Sequence, residues 1–186
     1  AVQSPPKQPY RSTRVTAGVV AALSAARAGV RVTLVERYGC FGGLWTAGLV
    51  LIVLSSHVRA GGNHQKMVHG ISDEMLARIA AMRHGAVTYG LDSIQDATTD
   101  PEVPKYVMAS LLQEAGGDIL LNSWATNAII GGNVVRGVLF ESKSGCLAVK
   151  DGQVVDAPRV TVMCLMPPTP KACPMSTESA WFIAWA

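Results

Sequence analysis

AGVVAALSAARAGVRVTLVERYGCFGGLWTAG, residues 17–48, decides the fold. Its first part places Val19, Val20, Leu23 and Ala26 at helical spacing, and Gly29 supplies a stop, so the spacing predicts a short helix over 17–28. Directly behind it, VRVTLVE (30–36) is a compact β-branched run, the pattern of a strand buried on both faces. A helix feeding a buried strand is half of a βαβ unit.

Downstream, residues 37–70 are first glycine-rich, then apolar, then polar, and predict an excursion away from the sheet. A second helix is predicted from Ile71 to Met82, where Ile71, Met75, Leu76, Ile79 and Met82 share a face and Ser72 or Asp73 stands ready as a cap. A third runs from about Val103 to Glu114 and stops at Gly116-Gly117, after which DILLN (118–122) reads as another buried strand. Three extended segments follow, about 124–130, 134–141 and 146–156, separated by GGN and KSG, and they predict an antiparallel β-meander. Residues 158–186 carry prolines and a tryptophan pair without an assignable period, and residues 1–16 form a proline-interrupted, irregular lead-in.

Composition narrows the function classes. Of 186 residues 49% are apolar, enough for a real core, and only 16% are charged. The net charge of +3 comes with no basic block, so nucleic-acid binding gains no support. The longest apolar run, Leu44 to Leu54, is about half of what spans a bilayer, and AVQSPPKQPY lacks the apolar centre of a signal peptide. The expectation is a soluble, cytoplasmic protein without membrane partners. Cysteines 40, 146, 164 and 173 lack zinc-knuckle spacing and indicate no disulfide framework, and the four histidines show no paired ligand spacing. No metal is expected.

The chemistry concentrates where the first helix and strand meet. In a dinucleotide-binding fold the helix directs its N-terminal amides at the pyrophosphate, and an acid at the tip of the second strand accepts hydrogen bonds from the adenosine ribose. Gly18 and Glu36 have the positions and chemistry for those tasks. A surface acid that ends a strand has the same spacing. Gly42-Gly43 would let backbone approach a phosphorylated or planar ligand closely, although a simple turn uses the same residues. About eighty residues separate VTLVE from DILLN, and such an insertion followed by a meander suits a flavin domain better than a nicotinamide one.

Glu36-Arg37-Tyr38-Gly39-Cys40-Phe41-Gly42-Gly43-Leu44-Trp45-Thr46-Ala47-Gly48 resembles the E-R-x-G-x-x-G-G-x-x-T-A-G signature of FAD-dependent oxidoreductases with the glutathione-reductase-like two-dinucleotide-binding fold. AALSAARAGVRVTLVERYG, VHGISDEMLARI, DPEVPKYVMASLLQEAG and VVRGVLFESKSG extend the similarity over roughly residues 17–157. The resemblance implies an α/β fold: a partial Rossmann-like FAD-binding domain with a parallel sheet plus an antiparallel β-meander. It implies FAD as cofactor and a small-molecule substrate. It further implies that Gly18 ends the pyrophosphate turn, Glu36 holds the adenosine ribose and Arg37 flanks the adenine. Gly42, Gly43 and Thr46 would line the diphosphate and ribityl chain, and the backbone of Ala125 would read the adenine edge.

Two departures accompany the resemblance. Thr13 and Val15 stand where the family has the first two glycines of G-x-G-x-x-G, and Asp156-Ala157-Pro158 stands where it has D-A-T-G-D. The expectation is a chain incomplete or altered at both ends, with no catalytic residue to name. Restoring glycine at Thr13 and Val15 should not confer flavin binding, because Pro5, Pro6 and Pro9 keep the lead-in from forming a strand. The resemblance implies that the family's first strand lies between 31–36 and 118–122, so a gap or exposed edge is expected there, with low order in residues 1–14. A thiazole-biosynthesis-like enzyme that uses an adenine dinucleotide as substrate or product is the runner-up, and a non-catalytic flavoprotein remnant is the third reading.

Overall fold

The computed structural model describes residues 17–54, 56–60, 63–89, 95–150, 154–157 and 160–164. The order expected of residues 1–14, and the turn containing Thr13 and Val15, lie outside the described residues. Along the chain the elements are α1 (Ala17–Arg27), β1 (Thr33–Val35), β2 (Ile52–Leu54), β3 (His57–Ala60), β4 (Asn63–Lys66), α2 (Ile71–Ala81), β5 (Ala86–Thr88) and β6 (Gln95–Thr99). They continue with α3 (Glu102–Glu114), β7 (Asp118–Leu120), β8 (Ser123–Gly131), β9 (Val134–Ser142), β10 (Gly145–Lys150), β11 (Val154–Ala157) and β12 (Val160–Cys164).

Two helices hand the chain to two strands through the same turn. At the end of α1 the Gly29 amide donates to the Ala26 carbonyl at 2.9 Å and the Val30 amide to Ala25 at 3.1 Å, with Gly29 at φ +83°. At the end of α3 the Gly116 amide donates to Gln113 and the Gly117 amide to Leu112, both at 2.9 Å, with Gly116 at φ +79°. These are Schellman closures, which satisfy the last helical carbonyls by means of a left-handed glycine. Nothing lies within 4 Å of a Cβ built on Gly29, so Gly29→Ala meets backbone strain alone. It should cost about 1–2 kcal/mol, read as a lower urea midpoint with unchanged m-value.

β1 is the wall between two cores. It pairs parallel with β7, in the register Thr33 with Asp118, Leu34 with Ile119 and Val35 with Leu120. Leu34 packs with Val19, Leu23, Met75, Ile79, Met108, Leu111 and Leu112 beneath the three helices. Val35, one residue on and therefore on the opposite face, packs with Val138, Phe140 and Val149 of the meander. Residues 32–36 are all buried, as expected of a strand covered on both sides.

The expected gap is absent. β1 and β7 are hydrogen-bonded neighbours, and the other edge of β1 carries β12 antiparallel, Thr33 opposite Cys164, in the order β11-β12-β1-β7. Among the described residues, the segment 158–186, without assignable period, thus contributes β12. The meander is confirmed as β8, β9 and β10, joined by turns at Gly132-Asn133 and Lys143-Ser144. Its third strand ends at Lys150 rather than 156, because Val154–Ala157 crosses to pair with β12. The stretch between β1 and α3 contains the antiparallel β2-β6-β5 sheet and the β3-β4 hairpin, neither of which has a legible period. Cys146 is disulfide-bonded, which the cysteine spacing does not indicate, whereas Cys40 is free.

α2 begins one residue before its expected caps. Ser72 and Asp73 lie inside the first turn, and Asp73 Oδ2 reaches back to accept the Gly70 amide at 3.2 Å. The helices are clasped at their outer ends by alternating charges. Arg27 donates twice to Glu74, at 2.7 and 2.8 Å, and Arg78 donates to both Glu114 oxygens at 2.7 Å and to Glu74 at 3.1 Å. The Arg27 hydrogen bond, against some desolvation, holds the Glu74 carboxyl below the usual carboxylate range. This contribution is complete above the unfolded pKa, about 4.3, and is lost as pH falls through the depressed folded value. Because all four side chains are substantially exposed, Arg78→Met should lower the urea midpoint only slightly at neutral pH. The difference from the parent should shrink in acid.

Candidate functional site

The chain beyond β1 is zipped to the chain beyond β7. Glu36 donates its amide to the Leu120 carbonyl at 2.8 Å, Ser123 donates to the Glu36 carbonyl at 3.0 Å, and Asn122 to the Tyr38 carbonyl at 3.0 Å. Asn122 adopts φ +52° to make this turn. The ladder therefore continues past both three-residue strands and brings Glu36, Arg37 and Tyr38 beside Ser123, Trp124 and Ala125.

Glu36 is the anomalous residue of this corner. Its side chain is 1% exposed, and Oε1 accepts the Tyr38 amide at 3.0 Å. Oε2 is buried and has no hydrogen-bond partner among the described residues. Burial pushes the carboxyl above its ordinary pKa, opposed by the Tyr38 and Arg37 amides. A buried carboxylate oxygen without a donor is costly, so Oε2 calls for a proton or for a donor brought by another group.

Arg37 is exposed, its Cζ lying 5.0 Å from the Trp124 ring centroid and 5.6 Å from that of Tyr38. Ala125 is half-buried on β8, opposite Phe140, with a register irregularity just after it. Among the described residues β8 is the edge of its sheet, so beyond Ser123 its outer backbone groups pair with no other strand. Gly18 is buried as the second residue of α1.

The glycine loop is placed differently from a bare cradle. Gly42 sits at φ +103° and Gly43 at +48°. A Cβ on Gly42 would stand 2.6 Å from both Thr46 Cγ2 and Oγ1 and 2.8 Å from Met108 Cε. Thr46 is fully buried, and its hydroxyl donates to the Phe41 carbonyl. Gly42 thus makes room for protein, and the Thr46 side chain braces the loop internally.

One cavity of about 300 Å³ opens on the far part of this loop, walled by Leu44, Trp45, Val20, Ile52, Leu54 and Met75. No sequence-predicted site residue lines it. Trp124 and Tyr38, which flank the Arg37 guanidinium, are not singled out by the sequence reading. The aromatic residue directly after Glu36-Arg37, and another directly before Ala125, are the signals that could have found them.

The sequence matches the family FAD dependent oxidoreductase over residues 15–162. The chain belongs to the FAD-dependent oxidoreductases. FAD is accordingly the cofactor, and Glu36 Oε2, without a partner among the described residues, is an acceptor of the kind that a ribose hydroxyl would take.

No curated protein matches the chain. Among solved structures, THI4 of Thermovibrio ammonificans aligns with a TM-score of 0.48 and 16% identity, covering 71% of this chain and 48% of that one. CabE, an aromatic hydroxylase from angucycline biosynthesis, aligns with a TM-score of 0.42 and 13% identity, covering 80% and 30%. BexE, described in connection with oxidation during BE-7585A biosynthesis, gives 0.37 and 16%, covering 72% and 28%. The chain spans about half or less of the length of these three structures. No helix among the described residues is long and apolar enough to cross a membrane.

Proposed function

We propose that this chain holds the adenosine end of FAD at the tip of β1, as the cofactor-binding portion of an oxidoreductase that acts on a small molecule. The observation that carries the reading is Glu36 Oε2, buried and unpartnered at the end of a strand that follows the first helix. Its carboxylate would accept hydrogen bonds from the ribose hydroxyls, while a 2′-phosphate would be repelled by the same charge. Arg37 would lie beside the adenine, and the outward backbone of Ala125 would read the adenine edge from the open side of β8. Gly18, in the first turn of α1, would stand near the diphosphate, where helix amides favour negative charge. Gly42, Gly43 and Thr46 would meet the diphosphate and ribityl chain through backbone groups, since the Thr46 hydroxyl is engaged within the loop. When bound, FAD supplies the hydride chemistry through its isoalloxazine ring.

Titration of the purified chain with FAD and with ADP-ribose tests the reading by flavin absorbance, calorimetry and thermal shift. Binding of both, weakened in Glu36→Gln, supports it. Binding of ADP-ribose without flavin retention favours an adenine dinucleotide handled as substrate or product. Failure to bind either would overturn it.

A further inference from the structure

Arg37 carries a full charge, yet among the described residues no carboxylate pairs with it. What holds its guanidinium is aromatic: Trp124 at 5.0 Å and Tyr38 at 5.6 Å, both within cation–π range. Trp124 is 48% exposed and Tyr38 50%, an arrangement that leaves large apolar rings wet beside an unneutralised cation. The two rings come from segments about eighty residues apart and are fixed by the ladder through Asn122 and Ser123. The same ladder fixes the buried carboxylate of Glu36, so a stacking surface and a hydroxyl acceptor share one rigid corner.

Resting on the dinucleotide reading above, we propose that Trp124 is a positioning residue for the cofactor: with Tyr38 it holds the Arg37 guanidinium flat, forming a shelf on which the purine base stacks while Glu36 takes the ribose. A guanidinium plane is a good partner for a base, because it stacks and remains weakly hydrated, but on a long, exposed side chain it loses rotamer freedom when it does so. The aromatic rings remove that loss in advance. The shelf recognises the π-face of a nucleobase, and its selectivity for adenine over other bases rests on the backbone of β8 rather than on these three side chains.

The test uses ADP-ribose, which carries base and ribose without flavin. In Trp124→Ala its affinity should fall about tenfold, the size expected for losing a base-stacking arrangement, whereas Trp124→Phe should restore most of it. Arg37→Met, which keeps the aliphatic stem, should show a comparable loss. Apo thermal stability should be nearly unchanged in all three, because these side chains are exposed. Tryptophan emission of the parent should change on ADP-ribose addition by an amount that Trp124→Phe abolishes. ADP-ribose binding that depends on Glu36 but is unaltered in Trp124→Ala and Arg37→Met would overturn the shelf while leaving the dinucleotide reading intact. Absence of ADP-ribose binding to the parent would overturn both.

Discussion

Gly42→Ala should lower folding stability by about 3 kcal/mol, the largest effect of a single methyl group anywhere in the glycine loop. Two costs combine. At φ +103° a side chain is strained by about 1–2 kcal/mol irrespective of space. The added Cβ also meets Thr46 at 2.6 Å and Met108 at 2.8 Å, and overpacking of this kind costs about 1–3 kcal/mol. Thr46 is buried and tied to the Phe41 carbonyl, so it cannot swing aside without losing that bond. The change should appear as a fall of about 6–12 °C in Tm. Gly43→Ala, at φ +48°, lies near the ordinary left-handed region and should cost about 1 kcal/mol. Equal effects at the two positions would show that the loop is not braced as described.

Glu36→Gln should act in opposite directions on the empty and the loaded protein. The carboxyl has its pKa raised in the folded state by burial. Its contribution to stability is therefore complete below the unfolded pKa, about 4.3, and is lost as pH rises through the raised folded value. Gln carries no charge to desolvate, so the empty variant should be at least as stable as the parent near neutral pH, and this advantage should disappear in acid. Ligand affinity should move the other way. Loss of the charged acceptor for the ribose should weaken ADP-ribose binding by about 1.5–3 kcal/mol, roughly ten- to a hundredfold. The affinity of the parent should itself fall with acidification through the Glu36 pKa, while that of Glu36→Gln stays level across the same window. Calorimetric titrations at several pH values, paired with denaturation curves, separate these contributions.

The three helices, β1, β7 and the meander were legible because each has local periodicity and a physical punctuation mark. Gly29 and Gly116 end their helices by the mechanism expected of glycine, and the turns of the meander fall where Gly132 and Gly145 sit. β2 to β6 were not legible. QDATT and NHQK are polar, and three- to five-residue strands offer no period to detect. The direct pairing of β1 with β7 and the placement of β12 beside β1 are long-range choices on which local pattern is silent, so the expectation of a gap failed there.

At the site, the position and chemical type of Glu36 could be read from its distance to the helix, but its unpartnered oxygen could not. Thr46 had the right spacing for a ligand-facing residue. Its inward rotation follows from the space left by Gly42 and filled by Met108, which only packing reveals. Trp124 and Tyr38 were present in the sequence as ordinary aromatics until the ladder through Asn122 brought them to the same guanidinium.

That ladder also orders events in time. The partners Val35 and Leu120 are separated by about eighty residues, and every site group beyond them inherits that separation. Closing so long a loop is slow relative to forming α1, α2 or α3, whose contacts are local. Neither Glu36 with its helix nor Trp124 with its hairpin is a half-site able to grip a nucleotide early. In refolding, capture of ADP-ribose should therefore coincide with the main folding phase, and raising the nucleotide concentration should slow unfolding without accelerating the return.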